Sequence, residues 1–280
     1  MLPGYYTRGG HHFWEDVFFY RKWRIQRNHI TKKCRLLDNW DICRKEGSFE
    51  DCRKAFVKFI EAFEIPKQKG HMIIMLCGFG QTKNVFKELW RAALKKGFLA
   101  AAVNYPTMQK NIDAHVRQLE FILNHMEDID EISFVTNGTG SIILKKLFTI
   151  DSEWQHKLKI GRIVEINPRN HGNNMIKKMS SWPIIGFILG PMAKEMNREN
   201  IERIPSFPSN IQTGLVFCES VWQKFLAFIT NTKLYKINPE YEKNFEKASE
   251  TISFAPYFRN LFKNRRLTCS VIKFLQTGKF

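Results

Sequence analysis

The chain has 280 residues, of which 44% are apolar and 25% charged, a balance ordinary for a globular protein and sufficient for one large domain with a sizeable core. A net charge of +17, spread along the chain rather than held in one tail, favours acidic surfaces such as anionic lipid or an acidic partner. Residues 1–20 are broken by His11, His12, Glu15 and Asp16 and so lack the apolar core of a signal peptide, and no later apolar stretch is long enough to span a bilayer.

The first elements fall before Lys69. Trp23-Arg24-Ile25-Gln26 and Cys34-Arg35-Leu36-Leu37 read as short strands around a polar turn. Ser48-Phe49-Glu50-Asp51 has the spacing of a capping box, and Phe56, Phe59, Ile60 and Phe63 follow at helical intervals before Pro66. From residue 70 onward, strand and helix alternate. Met72–Leu76 is an apolar run suited to a strand buried on both faces, and Gly78-Phe79-Gly80 makes a turn. Val85, Leu89, Trp90, Ala93 and Leu94 mark a helix closed by Gly97. The run Phe98–Val103 and the helical pattern Ile112–Leu123 come next. Ile132–Val135 reads as a strand, Asn137-Gly138-Thr139-Gly140 as a turn, Ile142–Phe148 as a helix and Ile160–Ile166 as another strand. This order predicts a parallel, doubly wound sheet. Beyond it, Ile211–Phe217 and Ile252–Phe254 read as strands and Leu267–Leu275 as a terminal helix. Trp182–Met192 is apolar but interrupted by Gly and Pro, while Tyr235–Lys247 is polar.

The turn around Gly138 carries the functional argument. In a parallel sheet, ligand-binding groups collect at the carboxyl ends of the strands, and a sharp strand-to-helix turn lined by small residues is the geometry of a nucleophile elbow. Several segments in order resemble bacterial lipase/esterase-like α/β-hydrolases. Met75-Leu76-Cys77-Gly78-Phe79-Gly80-Gln81-Thr82 is similar to L-H-G-L-G-R-T, Asn104-Tyr105-Pro106 to D-Y-P, and Val135–Ser141 to the elbow V-T-H-S-x-G-G. Asn167–Gly172 is similar to A-P-P-N-Q-G, Trp182-Pro183 with Gly190-Pro191 to W-P…G-P, and Phe274–Phe280 to F-L-R-T-G-R-F. The resemblance implies an α/β-hydrolase fold over residues 70–280, with residues 1–69 as an N-terminal extension packed on it.

The departures lie where the chemistry would sit. Gly138 occupies the serine position, and the chain contains no G-x-S-x-G. The family order is nucleophile, acid, histidine, yet no histidine follows His171. Matching backward from the C-terminus puts Pro256 at the histidine position and the acid near Thr232 and Lys233. The expectation is a degenerate, catalytically inactive hydrolase without cofactor or metal. Its cleft would be lined by Gly78, Phe79, Gly80, Asn137 and Thr139, with backbone N–H groups surviving on the oxyanion side. The alternatives are an active ester or lipid hydrolase with a nonstandard site, or a basic protein of membrane surfaces.

Thr139 as a displaced nucleophile, Ser141, a reactive Cys77 and a cleft-facing His171 are the routes to activity. Each has a plainer role in packing or hydrogen bonding. Trp182–Met192 lies where such folds carry a lid. The ligand expected is lipid or ester-like, with an anionic membrane as a candidate surface. Tyr20 to Arg24 is too weak a basic-aromatic cluster to predict a nucleic-acid partner. The six cysteines have no C-x-x-C spacing, so free thiols in a cytoplasmic protein, soluble or peripheral, are expected. The sequence leaves the oligomeric state open.

Overall fold

A computed structural model of the chain describes residues 4–7, 10, 13–168, 181, 190–196, 198–220, 248–257 and 264–280. The N-terminal part forms a five-stranded antiparallel sheet rather than a pair of strands. Its strands are β1 (Tyr5–Tyr6), β2 (Trp14–Tyr20), β3 (Trp23–Asn28), β4 (Cys34–Leu37) and β5 (Ile42–Gly47), in the order β1-β5-β4-β3-β2. β2 escapes pattern reading because it does not alternate: residues 15–20 are all buried, two carboxylates among them. One face of the sheet packs on α1 (Phe49–Ala62), where Phe56 is fully buried and meets Phe18 and Tyr20 edge to face. Ser48 and Asp51 form the expected capping box, worth about 1 kcal/mol. The helix ends before Phe63, which lies half exposed.

The second sheet has six strands: β6 (His71–Leu76), β7 (Leu99–Val103), β8 (Glu131–Asn137), β9 (Lys159–Ile166), β10 (Thr213–Ser220) and β11 (Glu250–Tyr257). All its pairings are parallel and the order is β11-β10-β9-β8-β6-β7. Crossovers run through α2 (Lys87–Lys95, entered by a 3₁₀ turn over Lys83–Phe86), α3 (Ile112–Asn124), α4 (Gly140–Leu147) and the short α5 (Trp154–Lys157). Beyond β9, α6 (Arg198–Glu202) precedes β10 and α7 (Arg265–Thr277) closes the chain. Residues 72–76 of β6 are 1% exposed or less, which explains their unbroken apolar run. The chain lays β7 on one side of β6 and all later strands on the other. The direction therefore reverses between β6 and β8, and the loops leaving those two strands diverge there.

The two sheets meet at Asn104, just past β7. Its backbone C=O accepts from Asp16 N at 2.9 Å, its N–H donates to Asp16 Oδ2 at 2.6 Å, and its side-chain amide donates to the Trp14 carbonyl at 2.6 Å. Gln118 on α3 donates to both the Asp16 and Asn104 carbonyls. Glu15, fully buried, pairs with Arg27 at 2.7 Å and with Lys110. Burial alone would raise its carboxyl, but these two cations outweigh that and hold it below the usual range.

Candidate functional site

The turn after β8 sits at the point where the sheet reverses. β8 ends at Asn137, α4 begins at Gly140, and Gly138 between them has φ +56°, a left-handed value that disfavours any side chain. Its N–H donates to Ile166 of β9 at 2.9 Å. Conformation rather than crowding favours glycine there: an added Cβ would meet only Gly78 Cα, at 3.7 Å. Gly140 is different, because a Cβ there would come within 2.5 Å of the Leu76 carbonyl. That glycine lets the first turn of α4 lie directly against β6.

The loop after β6 folds over this turn, and its donors are already engaged. Gly78 N–H donates to Gln81 Oε1 at 2.9 Å, Phe79 N–H to Thr139 Oγ1 at 2.7 Å, and Gly80 N–H to Thr107 Oγ1 at 3.2 Å. The Asn137 amide donates to the same Gln81 oxygen at 2.9 Å. The structure thus gathers Gly78, Phe79, Gly80, Asn137 and Thr139 at one place. Thr107 and Gln81, to which the sequence gives no site role, supply acceptors. That role depends on two loops meeting, which neither Gln81's place in the glycine-rich segment nor anything around Thr107 marks.

The nucleophile candidates differ in setting. Thr139 is 3% exposed and its hydroxyl accepts the Phe79 N–H. Ser141 is fully buried and its Oγ lies 2.7 Å from Thr136 Oγ1. Cys77 is fully buried and burial pushes its thiol up to about 12, so it carries no thiolate near neutrality. Pro256 lies in β11, one residue before its end. Thr232, Lys233, His171 and residues 182–189 of the expected lid lie outside the described residues.

A Ser–His–Glu arrangement does exist at the opposite, amino edge of the sheet. His71 Nε2 lies 2.8 Å from Ser133 Oγ, and His71 Nδ1 lies 3.6 Å from Glu131 Oε1. It resembles a triad in distances alone. Ser133 is fully buried, its hydroxyl accepts the Arg162 N–H at 2.8 Å, and burial lowers the pKa of His71. Gly161 leaves the room these side chains fill, since a Cβ there would approach both Ser133 Oγ and Glu131 Oε1 to 2.5 Å. The cluster ties β6, β8 and β9 together and offers no hydroxyl to a substrate.

No family model and no curated protein matches the sequence. Solved structures match it in fold. An esterase from Thermogutta terrifontis aligns with a TM-score of 0.50 at 10% identity, over 76% of this chain and 92% of that one. A monoacylglycerol lipase from Paleococcus ferrophilus aligns at 0.49 and 10%, over 73% and 93%. The chain has the α/β-hydrolase fold. At this identity the likeness speaks for architecture, and the site must speak for chemistry. The turn at Gly138 follows β8 and the loop at Gly78–Gly80 follows β6, the two strands between which the sheet reverses. Among the described residues no helix is long and apolar enough to cross a membrane.

Proposed function

We propose that this chain is a lipase/esterase-like pseudo-hydrolase, a degenerate member of that group that keeps the fold as a binding scaffold and does not turn over esters. One observation carries the reading: the elbow residue is Gly138, and the neighbouring loop N–H groups donate to Gln81, Thr139 and Thr107 instead of standing free for an oxyanion. A hydroxyl nucleophile also needs a base, and no histidine follows His171 in the chain. The scaffold's ligand is lipid or ester-like, and the charge of +17 draws it to anionic surfaces.

The test is incubation of the intact chain with a fluorophosphonate probe and a panel of p-nitrophenyl esters, beside an active esterase as control. The expected result is neither labelling nor release of p-nitrophenol above buffer. Stoichiometric labelling abolished by Thr139→Ala would instead establish Thr139 as the nucleophile and overturn the reading.

A further inference from the structure

A hollow of about 220 Å³ lies between the N-terminal sheet, α2 and β7, lined by neither the elbow nor the oxyanion loop. It exists because β7 carries Ala100, Ala101 and Ala102 where β6 carries Ile and Met. Five cations line it, Arg21, Lys22, Arg24, Lys83 and Lys87, against the single carboxylate of Asp41. The two arginines are committed: Arg21 donates to the Pro66 and Lys67 carbonyls, and Arg24 pairs with Asp41. The side chains of the three lysines have no hydrogen bond or ion pair among the described residues.

Lys83 is the informative one. It is 9% exposed. An ammonium withdrawn from water ordinarily has a counter-ion. Neither nearby carboxylate supplies it. Asp16 and Asp41 are near enough to favour its charged form, but neither forms an ion pair with it: Asp16 accepts from the Gln26 amide and the Asn104 N–H and lies 3.6 Å from Arg24, which also pairs with Asp41. The charged groups around Lys83 are Arg24, Arg35, Asp16 and Asp41 of the N-terminal sheet and its turns, with Lys87 across the hollow. Burial and the arginines bring its amine down to about 8.

We propose that this hollow is a binding site for a phosphate group, either free phosphate or a phosphomonoester headgroup. A tetrahedral dianion seated there would meet Lys83 at the floor and Lys22 and Lys87 at the rim, with the Asn84 and Asn39 side chains as neutral donors. Asp41 disfavours an anion on its side, and Arg24, shared with Asp16, offsets part of that charge. The site stands independently of whether the elbow is catalytic.

Isothermal titration of the intact protein with sodium phosphate, against sodium chloride at matched ionic strength, tests it. Saturable heat with phosphate alone is expected, with affinity lowered at least about tenfold by Lys83→Met and by the exposed pair Lys22→Gln/Lys87→Gln, each checked for native circular dichroism. Near pH 8.5, where phosphate is dianionic, binding takes a proton onto Lys83, read as an enthalpy that depends on the buffer's ionisation heat and vanishes in Lys83→Met. Vesicles bearing phosphatidic acid or phosphatidylserine at equal charge separate the sources. Lys83-dependent preference for phosphatidic acid assigns the headgroup, and equal binding assigns free phosphate. Heat no different from chloride, or unchanged affinity in both folded variants, overturns the proposal.

Discussion

Gly138 has room for a Cβ but a backbone angle that disfavours one. Gly138→Ser should therefore fold, at a cost of about 1 kcal/mol in thermal unfolding, and should remain inactive on p-nitrophenyl esters because a hydroxyl without a base stays protonated. Turnover from that single change would reveal a base reaching the elbow. A second residue, His115 on α3, is 2% exposed, packs against the Tyr105 ring and has neither ring nitrogen hydrogen-bonded. Burial lowers its pKa from 6.5 to about 4. The folded state thus binds the proton less tightly than the unfolded state. The stability His115 allows is complete above about pH 6.5 and declines as pH falls towards 4, by about 3 kcal/mol. Urea unfolding of His115→Phe beside the parent should show a flatter dependence on pH over that window; parallel curves would contradict it.

At the scale of elements, the junction of β2 with the end of β7 rests on Asp16. Asp16→Ala strips the acceptor from the Asn104 N–H and the Gln26 amide, all of them buried. The expected loss is about 3 kcal/mol by urea denaturation, with Gln26→Ala costing less. Equal, small losses for both would mean that the sheets are held by apolar contact alone. The elements around Gly138 were legible in the sequence: an apolar strand, a glycine turn and an apolar helix in direct succession. β2 was not. Its Glu15 and Asp16 look like surface residues until Lys110, Arg27 and Asn104 arrive from elsewhere to satisfy them.

For the molecule as a whole, the charge of +17 predicts flotation with anionic but not neutral vesicles, weakening as salt is raised across the physiological range. Equal binding to both vesicle types, or to neither at low salt, would remove the membrane from the proposed partners. The basic residues that matter most need not be those clustered in sequence. Lys83 stands alone in the chain among neutral neighbours, yet shares a hollow with Arg21, Lys22 and Arg24 because the 3₁₀ turn before α2 and the β2–β3 turn line the same space.

The sequence by itself determined the alternation of strand and helix, the parallel sheet, the glycine turn between β8 and α4 and the absence of serine there. Those features are local: periodicity sets the element, and a glycine after an apolar strand sets the turn. Tertiary structure decided that the loop N–H groups at Gly78, Phe79 and Gly80 are taken by Gln81, Thr139 and Thr107, that β2 buries two carboxylates, and that the Lys83 side chain is buried without an ion pair among the described residues. Each depends on which groups meet across the fold, because desolvation and hydrogen-bond pairing are set by neighbours in space and leave no mark in the order of residues.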